Sequence, residues 1–193
     1  MSQQLPRIKI WANLLQEVVR TNLCVSCGTC AAVCPVNSIV MKEDQPNLVS
    51  VCIACGMCYN SCPRANFSEA EVEEKVFGHQ RGENEEKYLG VYRSCCAARS
   101  KDEKVLSRCQ DGGAVTSIAM QLMKEDPEVC TVAAGIEEGT NWRPEPVVAI
   151  SAEELLKCAG TKYTPSANIL GLGSAVKEYE RERVALVGTP CQM

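Results

Sequence analysis

The chain has 193 residues, 14 of them cysteine and one histidine, and its 20 basic and 24 acidic side chains leave a formal charge of −4. With 46% hydrophobic and 23% charged residues it has the make-up of a globular protein, not a disordered or fibrous one. The acidic balance speaks against nucleic acid as a partner, and His79 alone excludes multi-histidine zinc sites and the Rieske centre, which needs two histidines.

In chain order, residues 5–20 place Trp11, Leu14, Leu15 and Val18 at i, i+3, i+4 and i+7 spacing, one face of a short amphipathic helix. Glu17 and Arg20 interrupt any apolar run and no small-residue cleavage pattern follows, so this is a poor signal peptide. Packing on its own chain is the plain reading, and a membrane or partner surface the alternative. No stretch approaches the ~18 apolar residues of a transmembrane segment. Dense cysteine without a secretory leader points to metal ligation in a reducing compartment, so the expected location is cytoplasmic.

Two segments then repeat one pattern, C-x2-C-x2-C-x3-C-P: Cys24, Cys27, Cys30, Cys34 with Pro35, and Cys52, Cys55, Cys58, Cys62 with Pro63. This is the bacterial ferredoxin run for 4Fe-4S clusters, in which the fourth cysteine of each run ligates the other cluster. The expected sets are Cys24, Cys27, Cys30 and Cys62 for one cube and Cys52, Cys55, Cys58 and Cys34 for the other. Three cysteines two residues apart let a tight loop wrap three iron corners, and Gly28 and Gly56 ease the backbone around inorganic sulfide. Zinc is the competing reading, but four thiolates per run, twice over, exceed what zinc needs. Between the runs, residues 38–41 and 48–51 read as short strands around a polar turn at 42–47.

Residues 68–87 carry seven acids and three bases and read as a helical or flexible connector, with His79 a solvated side chain within it. Net charge changes from +2 over residues 1–66 to −6 over 67–193, which supports a boundary here. Beyond it, residues 90–93 begin an extended segment and residues 102–108 are a short helix. After the turn Gln110-Asp111-Gly112-Gly113 comes a helix with Val115, Ile118, Ala119 and Leu122 on one side. Strands are expected at 129–134, 147–150 and 184–187, a capping box at Ser151 and Glu154 opens a further helix, and Ile169, Leu172, Val176 and Tyr179 mark another. The fold class is α+β: a helix and two-cluster ferredoxin-like domain over 1–66, an acidic linker over 67–89, and an incomplete α/β domain with a partly parallel sheet over 90–193.

Three loops of the second region have chemical promise. Gln110-Asp111-Gly112-Gly113 opens a helix, where free N–H groups favour an anion such as a cofactor phosphate. Ala159-Gly160-Thr161-Lys162-Tyr163 gathers hydroxyls, a lysine and a ring. Gly188-Thr189-Pro190-Cys191-Gln192 follows a buried strand, beyond whose carboxyl end α/β sheets bind ligands. None matches G-x-G-x-x-G, and a Gly-Gly before a helix also serves as a plain turn. Gly171 and Gly173 lie in a helical pattern and read as packing.

These loops, with Ala98-Arg99-Ser100 and Trp142-Arg143-Pro144-Glu145-Pro146, closely resemble in order and spacing the beta-subunit family of coenzyme F-420 hydrogenase, dehydrogenase and formate dehydrogenase. The resemblance implies a flavoprotein in which FAD exchanges hydride with the deazaflavin coenzyme F-420 and passes single electrons to iron–sulfur clusters. It implies further redox subunits, of hydrogenase, formate dehydrogenase or similar type, as partners. It puts Asp111, Gly112, Gly113, Thr116, Thr161, Lys162 and Tyr163 at the flavin or deazaflavin site. Family members are longer, so the chain reads as a truncated or split piece, with Cys191 either a ligand of an additional cluster or an inert thiol. A ferredoxin-type carrier with a docking domain, and a relative using FAD with another redox partner, are the alternatives. Of the other thiols, Cys95 and Cys96 are expected in a strand with one facing the core, Cys130 and Cys158 in packing, and Cys109 before the glycine turn.

Overall fold

A computed structural model describes residues 8–65, 67–84, 86–140 and 142–193. Helix α1 (Trp11–Leu14) runs on into a π-helical turn (Leu15–Val19), closed by hydrogen bonds from Arg20 N–H to Leu15 O at 2.9 Å and Leu23 N–H to Val18 O at 3.0 Å. Its apolar face turns inward: Trp11, Leu14 and Val18 are buried with Ala31, Cys34, Ile39, Cys58 and Tyr59 in one core. Residues 5–7 of the expected helix lie outside the described residues. The two cysteine runs fold alike, each turning through a left-handed glycine (Gly28, φ +84°; Gly56, φ +78°) into a four-residue helix, α2 (Thr29–Ala32) and α3 (Met57–Asn60).

Strands β1 (Ile39–Lys42) and β2 (Gln45–Leu48) form an antiparallel hairpin with Ile39 opposite Leu48. The second strand starts earlier than its hydrophobicity predicts, because the turn is only Glu43 and Asp44. Both have positive φ (+49° and +60°), the geometry of a two-residue turn matched to strand twist. The acidic connector is mostly helical. Helix α4 (Glu69–Phe77) is capped by Ser68 and ended by Gly78, and α5 (Glu86–Leu89) follows. Glu73 of α4 is bound by the Arg81 guanidinium, with Nε donating at 2.6 Å.

In the second region, α6 (Glu103–Leu106) and α7 (Ala114–Glu125) precede a three-stranded sheet of order β4-β3-β5. Strand β3 (Val129–Ile136) is central, antiparallel to β4 (Pro144–Ala149) and parallel to β5 (Arg183–Leu186). Helix α8 (Ala152–Lys157) carries the expected Ser151/Glu154 capping box, and α9 (Asn168–Lys177) returns to β5. Ala119, Ala133, Ala149, Leu155 and Cys158 fill the core on the α7 and α8 side, and Cys130, Val132 and Ala175 that on the α9 side. The result is a mixed α/β layer behind a ferredoxin-like module.

Three local expectations are corrected. Val115, Ile118 and Leu122 of α7 are exposed, while Ala119 turns inward against Ala133, since small residues on both elements let helix and strand approach closely. On α9, Val176 is exposed, as is Tyr179 just past its end, and the inward residues are Asn168, Ile169, Gly171 and Ala175. A Cβ on Gly171 would stand 2.8 Å from Val132 Cγ1, so the helix lies too near the sheet for a side chain there. Residues 90–99 form no strand, and Cys95 and Cys96 are both exposed.

The two regions meet along α9. A Cβ on Gly28 would come within 3.0 Å of Ala167 Cβ and 3.1 Å of Leu170 Cγ, one on Gly173 within 3.3 Å of Ala32 Cβ, and Lys177 Nζ donates to Ala32 O at 2.9 Å.

Candidate cluster sites and an adjoining cavity

The eight repeat cysteines stand in two groups of four. One small cavity is lined by Cys24, Cys27, Cys30 and Cys62 together with Leu14, Val18 and Met41. Another is lined by Cys52, Cys55, Cys58 and Cys34 together with Trp11, Ile39 and Leu48. Each set joins three thiols of one run with the fourth of the other. The electrostatics follow these groups in the main. Burial pushes the Cys30 thiol up to about 12, aided chiefly by Cys27, Cys24 and Cys62, although Cys58 of the other set also raises it. Burial raises Cys58, with Cys52, Cys55 and Cys34 adding to it, and burial raises Cys62, with Cys27 and Cys24 adding.

Among the described residues, no three His, Cys, Asp or Glu side chains converge closely enough to hold a single metal ion. Four sulfurs around a shared space, walled by apolar side chains, suit a four-iron cube with its several positive irons spread over its corners. A thiol loses its proton to bind iron, so loading of such a site would be coupled to proton release. Backbone N–H groups already face sulfur: Ser38 N–H lies 3.3 Å from Cys34 Sγ and Ala54 N–H 3.4 Å from Cys52 Sγ.

Beyond the carboxyl ends of the parallel pair β3 and β5 lies a cavity of about 570 Å³, within the usual range of small-molecule sites. All three loops identified in the sequence reach it. Asp111, Gly112, Gly113, Thr116, Thr161 and Lys162 line it, whereas Tyr163 is 86% exposed and outside the lining. The loops are tied to one another. Gln110 Oε1 accepts from Thr161 N–H at 2.9 Å, Ser100 N–H donates to Gly112 O at 2.7 Å, and Gln192 Nε2 donates to Ser166 O. Gly112 is needed for this closeness, because a Cβ there would collide with Ala98 O.

Helices α7 and α9 both begin at this cavity, and neither has an acidic residue in its first turn. Their opening N–H groups, left unpaired by helix geometry, make a setting for an anion. Lys162 lines the cavity, but its ammonium is engaged by backbone. Its Nζ donates to Ala159 O at 3.1 Å, Gly160 O at 3.0 Å and Cys158 O, closing the end of α8, and burial lowers its pKa.

The sequence reading missed Val25, Ser166 and Asn168 in the lining. Asn168 is buried, accepting from Ser166 Oγ at 2.6 Å and donating to Val187 O at 2.9 Å. A polar residue inside an apolar helical stripe was its available signal; Val25 had none. Cys109, Cys158 and Cys191 also line the cavity, and Cys191 Sγ lies 3.1 Å from Thr189 Oγ1. Cys130 is fully buried in β3, and His79 pairs with Glu86 at 3.7 Å. No helix among the described residues is long and apolar enough to cross a membrane.

Comparison with known proteins adds to this geometry. Residues 95–172 match the family model described as coenzyme F420 hydrogenase/dehydrogenase, beta subunit N-term, and residues 17–63 match a 4Fe-4S dicluster domain. The chain is 38% identical over 109 residues to coenzyme F420 hydrogenase subunit beta of Methanosarcina barkeri, covering 56% of this chain and 37% of that protein. It is 32% identical over 182 residues to a subunit of the F(420)H(2) dehydrogenase of Methanosarcina mazei, covering 92% of this chain and 49% of that protein. Among solved structures, the F420-reducing [NiFe] hydrogenase complex of Methanosarcina barkeri has a chain that matches with a TM-score of 0.51 and 38% identity, over 54% of this chain and 36% of its own length. The chain thus spans at most about half the length of these relatives.

Proposed function

From the premise that this chain belongs to the coenzyme F420 hydrogenase/dehydrogenase beta-subunit family, with a 4Fe-4S ferredoxin-like domain on its N-terminal side, we propose that it is an electron-transfer subunit of an oxidoreductase. In this reading it carries two 4Fe-4S clusters and contributes the cavity for FAD, and coenzyme F-420 is the hydride partner. The observation that carries the proposal is the convergence of the three family-like loops on one cavity whose wall includes Val25, a residue of the first cysteine run.

Cys24, Cys27, Cys30 and Cys62 would hold one cube, and Cys52, Cys55, Cys58 and Cys34 the other. FAD, when bound, supplies the exchange between two-electron hydride chemistry and one-electron transfer. The chain's own part is to bind and to position. The N–H groups opening α7 and α9 would face an anionic part of the ligand, and Gly112 lets its loop pass close against Ala98. Asp111, Gly113, Thr116 and Thr161 shape the wall, while Lys162 fixes the turn that presents Thr161. The apolar side chains beside the cysteines, and the greater exposure of Cys52 and Cys55, would tune the cluster potentials, which span roughly −700 to +450 mV in proteins. The partners that supply or accept electrons are other redox subunits, as in the complex that contains the matched chain.

Anaerobic reconstitution with iron, sulfide and FAD tests the reading. The protein is expected to retain FAD through gel filtration and to show flavin bands over the broad iron–sulfur absorbance, and reduced coenzyme F-420 is expected to bleach the flavin. Iron–sulfur absorbance with no flavin uptake would instead make the chain a ferredoxin-type carrier. Flavin uptake without bleaching would assign a different hydride partner.

A further inference from the structure

The two thiol sets stand in unequal relation to the cavity. Val25, between Cys24 and Cys27, lines both the large cavity and the space enclosed by Cys24, Cys27, Cys30 and Cys62. Gly28 of the same loop rests on Ala167 and Leu170, at the start of α9, so this set is fixed against the cavity's own framework. Among the described residues, the space enclosed by Cys52, Cys55, Cys58 and Cys34 is lined by residues between Trp11 and Cys58, none of them from the second region. Cys52 and Cys55 are exposed, as are their neighbours Val51 and Ile53.

We infer that the two centres are wired in series: Cys24, Cys27, Cys30 and Cys62 hold the cavity-side centre, and Cys52, Cys55, Cys58 and Cys34 hold the outlet to solvent or partner. The inference rests on the proposed FAD site and adds an order to it. Electrons balance along this route. A hydride given up by the reduced deazaflavin would pass to FAD in the cavity; as FAD is reoxidised its two electrons would leave one at a time through the cubes, the hydride's proton would go to solvent, and an external one-electron acceptor would take both electrons in turn from the outer cube. Val25 is the short apolar contact between cavity and cavity-side cube.

The test uses the full reconstituted chain and EPR of the dithionite-reduced clusters, with two additions made separately. FAD is expected to change the signal or midpoint potential of the cavity-side cube alone. Soluble dysprosium–EDTA, a relaxation agent confined to solvent, is expected to speed the relaxation of the outer cube severalfold more than that of the other. Cys24→Ser and Cys52→Ser, each retaining one intact cube, assign the signals. The Cys52→Ser protein keeps the FAD-sensitive signal and the Cys24→Ser protein keeps the dysprosium-sensitive one. If either variant fails to assemble its cube, the unmutated chain still decides, because the two additions must act on different signals. One signal responding to both, or an FAD-sensitive signal lost in the Cys52→Ser protein, overturns the order while leaving the FAD site standing. Failure to take up FAD overturns both.

Discussion

Lys162 shows how a residue's surroundings redirect the chemistry its type suggests. Beside Thr161 it reads as a phosphate partner, yet its ammonium is held by three backbone carbonyls at the end of α8. Lys162→Met keeps the aliphatic stem and removes these charge-assisted hydrogen bonds, so it is expected to cost about 1–3 kcal/mol of stability, read as a lower thermal midpoint, with FAD affinity retained. A large loss of FAD affinity at unchanged stability would return Lys162 to the ligand. The proposed cluster thiols are more legible, because three of each proposed four are set by local chain spacing. The crossing of the fourth is an expectation read from the repeat, and Cys62 and Cys34 each line the space beside the other run's thiols. Cys34→Ala is accordingly expected to disturb the cube of Cys52, Cys55 and Cys58 and to leave the other intact, as read by iron content and EPR. Loss confined to the cube of Cys24, Cys27 and Cys30 would break the crossed assignment. Val25 was illegible, since its role comes from two distant segments closing on each other and not from its own type.

At the scale of elements, the apolar periodicities found the helices but not always their buried faces. Hydrophobicity marks which residues prefer the interior, whereas α7 and α9 lie so close to the sheet that size decides, and Ala119, Gly171 and Ala175 face inward. The hairpin moved for a similar reason: the positive φ of Glu43 and Asp44 set a tight turn that residue type did not announce. The first helix is tied to α3 by Lys9, Glu17 and Tyr59, with Lys9 Nζ donating to Glu17 at 2.7 Å and to the Tyr59 hydroxyl at 2.8 Å, and that hydroxyl donating to Glu17 at 2.6 Å. The hydrogen bond from Lys9, then that from Tyr59, holds the Glu17 carboxyl below its ordinary 4.5, and the same contacts hold Lys9 above 10.5. The carboxylate's contribution is therefore full above about pH 4.5 and is lost as pH falls through the depressed value; that of Lys9 is lost only as pH rises past its raised one. Glu17→Gln should lower the denaturation midpoint at pH 7 and narrow its difference from the unmutated protein as pH approaches 3. A difference that stays constant from pH 7 to pH 3 would show that the carboxylate's charge contributes nothing.

Over the whole molecule, the architecture was readable in broad form: a ferredoxin-like module with two cysteine runs, a mainly helical acidic connector, and a mixed α/β layer. The way the modules meet was not readable. Ala32 against Gly173, Gly28 against Ala167 and Leu170, and the bond from Lys177 to Ala32 O join segments more than a hundred residues apart, and no local pattern encodes such pairings. That junction matters because it sets a cofactor-sized cavity beside one of the two proposed cluster sites. The most direct measurement is an anaerobic titration of the reconstituted, FAD-loaded chain with reduced coenzyme F-420, followed by flavin absorbance and cluster EPR. FAD takes up two electrons and each cube one, so the account predicts both bleached flavin and reduced cubes, with an endpoint at about two equivalents of the hydride donor per chain. Bleached flavin with both cubes still oxidised, and an endpoint at about one equivalent, would contradict it.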